Sequence, residues 1–114
     1  MADNVVYVDV ADGTKRVMNN TKLYIKLLTK FRDDTKLDDL LAALAADNME
    51  KAQDTVHTIK GVAANLSLAE LFKQSLELET QIKARSVNPP QIETVKTVFD
   101  ATLQEINRII SENV

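Results

Sequence analysis

The sequence predicts an all-α protein, an antiparallel four-helix bundle with one or two short additional helices on its N-terminal side. Three observations carry this reading. Apolar residues recur at helical spacing over most of the chain. The stretches between periodic segments hold capping residues, among them Asn19-Asn20, Asp47 and Asn88. Only 2 Gly, 2 Pro and 4% aromatic residues occur, too few for the turns and aromatic strands of sandwiches and barrels. The 114 residues, 45% of them apolar, fit one domain with a real core. Residues 1–114 are therefore read as a single domain, with the bundle core at about 20–112.

The first, short helix is expected after Asp9, with Val10, Val17 and Met18 facing inward. Asn19-Asn20 interrupts it and supplies the N-cap of a second helix. That helix places Leu23, Tyr24, Leu27, Leu28 and Phe31 on one face and Lys22, Lys26, Lys30 and Arg32 on a solvated one. Thr35 with Asp38 opens a third helix, whose apolar face is Leu37, Leu40, Leu41 and Leu44. Asp47 with Glu50 repeats the capping pattern for a fourth, from about Asn48 to Asn65. Ser67 with Glu70 opens a fifth, with Leu68, Leu71, Ser75, Leu78 and Ile82 as its seam, widened by Phe72 and Leu76. Asn88 caps the last helix, and Pro89-Pro90 fall in a first turn where proline is tolerated. Ile92, Val95, Phe99, Leu103, Ile106, Ile109 and Ile110 form its stripe. The short connections at Asn65–Ser67 and Ser86–Asn88 force antiparallel neighbours.

Composition removes many functions. No Cys means no disulfide, thiol nucleophile or zinc–thiolate site. A single His excludes two-His metal sites, so no bound metal is expected. A net charge of −3 gives no pull toward nucleic acid or anionic lipid, and neither is expected as a partner. No apolar run is long enough to span a bilayer and no secretory signal precedes the first helix, so a cytoplasmic location is expected. Gly13 and Gly61 are the only glycines, so no Gly-rich loop exists to cradle ATP.

The informative segment surrounds that single histidine. On a helical wheel with His57 at zero, Ala52, Val56, Ile59, Val62, Ala63 and Leu66 fall between roughly 140° and 260°. His57 is almost opposite this stripe, which disfavours a core histidine and leaves an ordinary surface residue as the plain alternative. Its neighbours one turn along are small, Gly61 and Ala64, and Lys60 lies close by. Glycine inside a helix costs about 1 kcal/mol relative to alanine, and on an exposed face it adds nothing to the core. Close approach by another surface accounts for it, although tolerated drift at Gly61 and simple helix propensity at Ala64 remain as alternatives. An exposed imidazole, with an unperturbed pKa of about 6.5, is a nucleophile near neutral pH. It can accept a phosphoryl group, which a lysine one turn away partly offsets. In-line transfer also needs steric clearance. A Ser-His-Asp arrangement fails, because Asp54 can touch His57 but the convex face offers no cleft.

The stretch His57-Thr58-Ile59-Lys60-Gly61-Val62-Ala63-Ala64-Asn65-Leu66 resembles the signature of histidine-containing phosphotransfer (HPt) domains of bacterial phosphorelays. Asn20 to Phe31 resembles the first bundle helix of the same family, and the likeness extends over roughly residues 8–112. The resemblance implies a phosphoryl carrier and not an autonomous enzyme, relaying the group between aspartates of receiver domains. Its implied partners are response-regulator receivers, a hybrid sensor histidine kinase, or both. On this match His57 is the phosphorylated residue, Lys60 steadies the phosphoryl group, and Gly61, Ala64 and Gln53 are the clearance and docking positions. Glu79 is the candidate polar neighbour of the imidazole from the next helix, with an i,i+4 pairing to Lys83 as its ordinary alternative. Mg2+ is expected on the partner receiver and no cofactor on this chain. One departure stands out: many relatives have Gly after the Asn-Leu pair, where this chain has Ser67, read here as an N-cap.

A second reading is a non-catalytic helical module that docks a receiver or kinase domain through the His57 face. Docking charges such as Glu50, Lys51 and Lys60 rim that face. The start at Met1 suits a free-standing carrier, but a module of a hybrid or chemotaxis kinase stays open. A monomer is expected, because the apolar stripes are already committed to one bundle.

Overall fold

The computed structural model describes residues 5–34 and 36–113, and Thr35 with its expected capping role lies outside them. Six helices occur among the described residues: α1 Val10–Arg16, α2 Thr21–Arg32, α3 Lys36–Ala45, α4 Met49–Leu66, α5 Ala69–Lys83 and α6 Pro89–Glu112. Helices α4, α5 and α6 pack in sequence through short connections, and α2 closes the bundle against α6 and α4. The shorter α3 lies along α4, and α1 lies against α4 and α2. The 24 residues of α6 make a rod of about 36 Å, which sets the 41 Å long axis. No described helix is long and apolar enough to cross a membrane.

The predicted stripes meet in one core. Tyr24 and Leu28 from α2, Leu40 from α3, Val56 and Ile59 from α4, Leu71, Leu78 and Ile82 from α5 and Ile106 from α6 are all buried. Phe31 stacks on Phe99 with ring centroids 5.4 Å apart, joining α2 to α6. Leu23 and Leu76 sit at the margins of their stripes and stay largely exposed.

Several local expectations are corrected. Asp9 does cap α1, accepting from the Asp12 N–H at 3.1 Å, but Val10 and Met18 do not face inward. Met18 is 91% exposed: its left-handed φ of 57° turns the chain between α1 and α2 and directs the side chain outward. Val17 is half-buried against the core. What α1 buries is Gly13, against the Tyr24 ring. The cap of α4 is Asn48 and not Asp47: the Asn48 side chain accepts from Lys51 N–H at 3.2 Å. Asp47 instead takes φ 55° in the turn leaving α3. Asn88 occupies the N-cap of α6 without a side-chain cap bond. The two prolines behind it have removed N–H donors that such a bond would serve, and the Asn88 N–H itself donates to Gln81 Oε1 at 2.9 Å.

Ser67 is the largest revision. It does not cap α5, whose N-cap is Leu68. It terminates α4 in the left-handed conformation, φ 60° and ψ 41°, a position where glycine is favoured because it lacks a Cβ. Here the strain is offset by tertiary contacts: the Ser67 hydroxyl donates to Asp12 Oδ2 at 2.5 Å, and its carbonyl accepts from Asp9 N–H at 2.9 Å. Val6 carbonyl accepts from Glu70 N–H at 3.2 Å, and Tyr24 Oη donates to Leu66 O at 2.6 Å. The N-terminal segment thus straps the α4–α5 turn and holds the hairpin register. Burial, helped by the Asp9 and Asp12 charges, pushes the Tyr24 phenol up to about 12, so it stays a donor.

Candidate functional site

Helix α4 carries its apolar stripe inward through Ala52, Val56, Ile59 and Ala63. The opposite face therefore points to solvent, and the His57 side chain is 67% exposed. Gly61 is exposed on the same side, and a Cβ built on it meets nothing within 4 Å. Ala64 and Gln53 are half-buried at the edges of this face. The four positions share one side of the helix, as the wheel requires.

The partner of the imidazole comes from α5. Glu79 is 2% exposed, yet its carboxylate reaches the site. His57 Nδ1 lies 2.8 Å from Glu79 Oε2. Lys60 Nζ donates to Glu79 Oε1 at 2.7 Å, and Lys83 Nζ stands 3.7 Å from Oε2. Both readings of Glu79 thus hold: it is an i,i+4 neighbour of Lys83 and also the contact of the ring. Lys60 does not hang free beside His57 but is engaged by Glu79. Asp54 makes no bond to the ring; its carbonyl accepts the Thr58 hydroxyl at 3.1 Å.

Burial pushes the Glu79 carboxyl up, but hydrogen bonds from Lys60 and His57 and the charges of Lys60 and Lys83 outweigh it. The group is held below the ordinary carboxylate range and is ionised at neutral pH. An ionised carboxylate is acceptor-only, so Nδ1 carries the hydrogen. In the neutral ring that leaves the lone pair on Nε2, the nitrogen turned away from Glu79.

Lys83 is the member of the site that sequence reasoning missed. It was legible only as a helix-surface partner, since its place beside the imidazole depends on how α5 faces α4. The burial of Glu79 had a usable signal. It stands four residues after Ser75 and three before Ile82, so it flanks the apolar seam. Beside the site, α1, α2 and α4 leave an open groove of about 590 Å³ floored by Leu27, Phe31 and Ile59 and edged by Arg16, Lys30 and Lys36.

Fold and site together define a class: a helical bundle that presents one oriented imidazole to solvent from the middle of a long helix. The family model of the Hpt domain matches residues 26–109, well over half of the chain, and the chain belongs to that family. Hpt domains are phosphocarrier modules of two-component systems that work with receiver domains and histidine kinases. The chain is also similar to a crystal structure of the HPT domain from a sensor hybrid histidine kinase from Shewanella. That match has a TM-score of 0.83 and 13% identity and covers 93% of this chain and 95% of the other. At that identity the likeness is one of fold. No curated protein matches.

Proposed function

We propose that this chain relays a phosphoryl group between receiver-domain aspartates through His57. The observation that carries the reading is an imidazole open to solvent whose Nδ1 is held on a buried carboxylate, which favours Nε2 as the nucleophile. On acceptance, the Nε2 lone pair forms a bond to phosphorus as the bond from phosphorus to the aspartate oxygen breaks. The receiver carboxylate leaves with that electron pair. The ring gains positive charge, keeps its Nδ1 proton, and is countered by Glu79. Onward transfer is the reverse: the P–N bond breaks and the pair returns to Nε2.

Lys60 steadies the phosphoryl oxygens by turning from Glu79, a motion its long stem allows. Gly61, Ala64 and Gln53 leave the receiver room to bring its aspartate in line. The neighbouring groove offers apolar area rimmed by Arg16, Lys30 and Lys36, suited to a small, transient interface. Mg2+ is carried by the receiver and no cofactor by this chain. The carrier acts as a monomer in the cytoplasm.

The test is direct. Incubation with a receiver charged by acetyl phosphate in Mg2+ should place an acid-labile, alkali-stable phosphate on the chain, and His57→Gln should abolish it. Labelling that survives in His57→Gln refutes the assignment. A wild-type chain that binds the receiver yet takes no label is a docking module only.

A further inference from the structure

We propose that Lys83 is a relief partner for Glu79: when a phosphoryl group on His57 draws Lys60 away, the Lys83 ammonium closes on the buried carboxylate and holds it against the ring. This rests on His57 being the phosphoryl acceptor.

Glu79 has more cations around it than one carboxylate needs. Oε1 is occupied by Lys60 at 2.7 Å, while Oε2 takes the ring at 2.8 Å and has Lys83 at 3.7 Å, just outside hydrogen-bond range. Two ammonium groups against one carboxylate leave one positive charge in excess before any phosphoryl group arrives. That group brings close to two negative charges and pulls hardest on the nearest mobile cation. Lys60 cannot serve both anions fully. Its departure would strip a 2%-exposed carboxylate of its shortest bond, and a buried carboxylate short of cations raises its own proton affinity and draws the shared Nδ1 proton from the charged ring.

Lys83 is placed to prevent this. Its side chain is 56% exposed, so no packing holds it back. His57 and Glu79 stand level in the antiparallel α4–α5 hairpin. Lys60, three residues on in α4, therefore lies toward the α4–α5 turn, and Lys83, four residues on in α5, lies toward the other end. The two lysines flank the carboxylate from opposite sides, and one can advance as the other leaves without crossing. An ionised Glu79 keeps the Nδ1 proton on the phosphorylated ring, so the ring departs as neutral imidazole and not as the poor leaving group imidazolate. Lys83 is thus a positioning residue for onward transfer. It acts through Glu79 and touches neither phosphorus nor aspartate. Among the described residues, His57, Lys60 and Lys83 are the charged or titratable groups paired with this carboxylate.

Two measurements on the full chain decide it. In the unphosphorylated protein, the Glu79 carboxyl carbon is titrated by NMR in Lys60→Met, Lys83→Met and the double variant. Each single change should raise the midpoint slightly, because the other lysine takes over. The double change should raise it by about one to three pH units, more than the sum. Strict additivity overturns the hand-over, and this arm needs no phosphoryl group. In the phosphorylated protein, Lys83→Met should lower the pH at which the ring gives up its Nδ1 proton, read by ring 15N shifts. It should also slow transfer to a receiver severalfold, with Lys83→Arg restoring both. Unchanged ring titration and transfer in Lys83→Met refute the proposal. A wild type that takes no phosphoryl group at His57 defeats the relay reading instead, and the carboxyl titration still reports on Lys83.

Discussion

The two glycines make a controlled pair, because both lie in helices and alanine at each should have opposite effects. Alanine is favoured over glycine in a helix interior by about 0.8–1.0 kcal/mol. At Gly61 nothing opposes this gain, since a Cβ there has no atom within 4 Å. Gly61→Ala should therefore stabilise the free protein by about 1 kcal/mol, worth about 4 °C in melting temperature for a chain of this size. At Gly13 the same Cβ would lie 2.3 Å from Tyr24 Cζ and 2.4 Å from its Oη. Tyr24 is fully buried and its hydroxyl is tied to Leu66 O at 2.6 Å, so the ring has nowhere to retreat. Overpacking of this kind costs about 1–3 kcal/mol, and loss of the Tyr24 hydrogen bond adds about 1 kcal/mol. The helix gain is too small to cancel both, and Gly13→Ala should destabilise by about 1–3 kcal/mol net. Urea unfolding of both variants, with unchanged m-values, measures this. A destabilised Gly61→Ala would mean that the fold requires glycine there. The case for glycine as clearance for a partner would then fail. If the case holds, Gly61→Gln stays folded and accepts phosphoryl from a receiver more slowly than wild type.

Other outcomes follow from the same geometry. Glu79→Gln keeps the shape but replaces a charge-assisted bond to Nδ1 with a neutral one roughly half as strong; the amide can also present its NH2 and stabilise the wrong tautomer. Phosphoryl transfer should fall about tenfold, the equivalent of about 1.4 kcal/mol, and ring 15N shifts should show a mixed tautomer. A wild-type rate with a pure Nδ1–H tautomer would sink the orienting role. Glu79 gives up its proton more readily in the fold than at its ordinary value of 4.5, so its stabilising effect is complete above that pH and is lost as pH falls through the lower folded value. The wild type should therefore lose stability on acidification more steeply than Glu79→Gln below about pH 4.5, as followed by urea unfolding across pH. Ser75 is fully buried and its hydroxyl has no hydrogen-bond partner among the described residues. Ser75→Ala should be stabilising by about 1 kcal/mol in the same assay, and a loss of stability would point to a hidden partner for that oxygen.

Helix identity, the inward stripes of α2 to α6 and the outward face of His57 were legible along the chain, because each depends on residues within a turn or two of one another, whereas the inward face expected of α1 was not the one it buries. A wheel built from Ala52 to Leu66 orients His57 without knowledge of any other helix. The capping details were less secure, since adjacent polar residues compete for one role: Asp47 and Asn48 differ by a single position, and only backbone conformation separates them. Ser67 shows the deeper reason. Its hydroxyl partner is Asp12, 55 residues away, and no local pattern announces such a bond. The same holds for the imidazole's orientation. Whether Glu79 or a neighbour meets His57 depends on the hairpin register across the Ser67–Leu68 turn, and a slip of one residue rotates a helical side chain by about 100°. Local periodicity tells which imidazole faces the solvent. Which of its nitrogens is free, and which cations attend it, is set by packing between helices, where the interaction energies join residues that the chain keeps far apart.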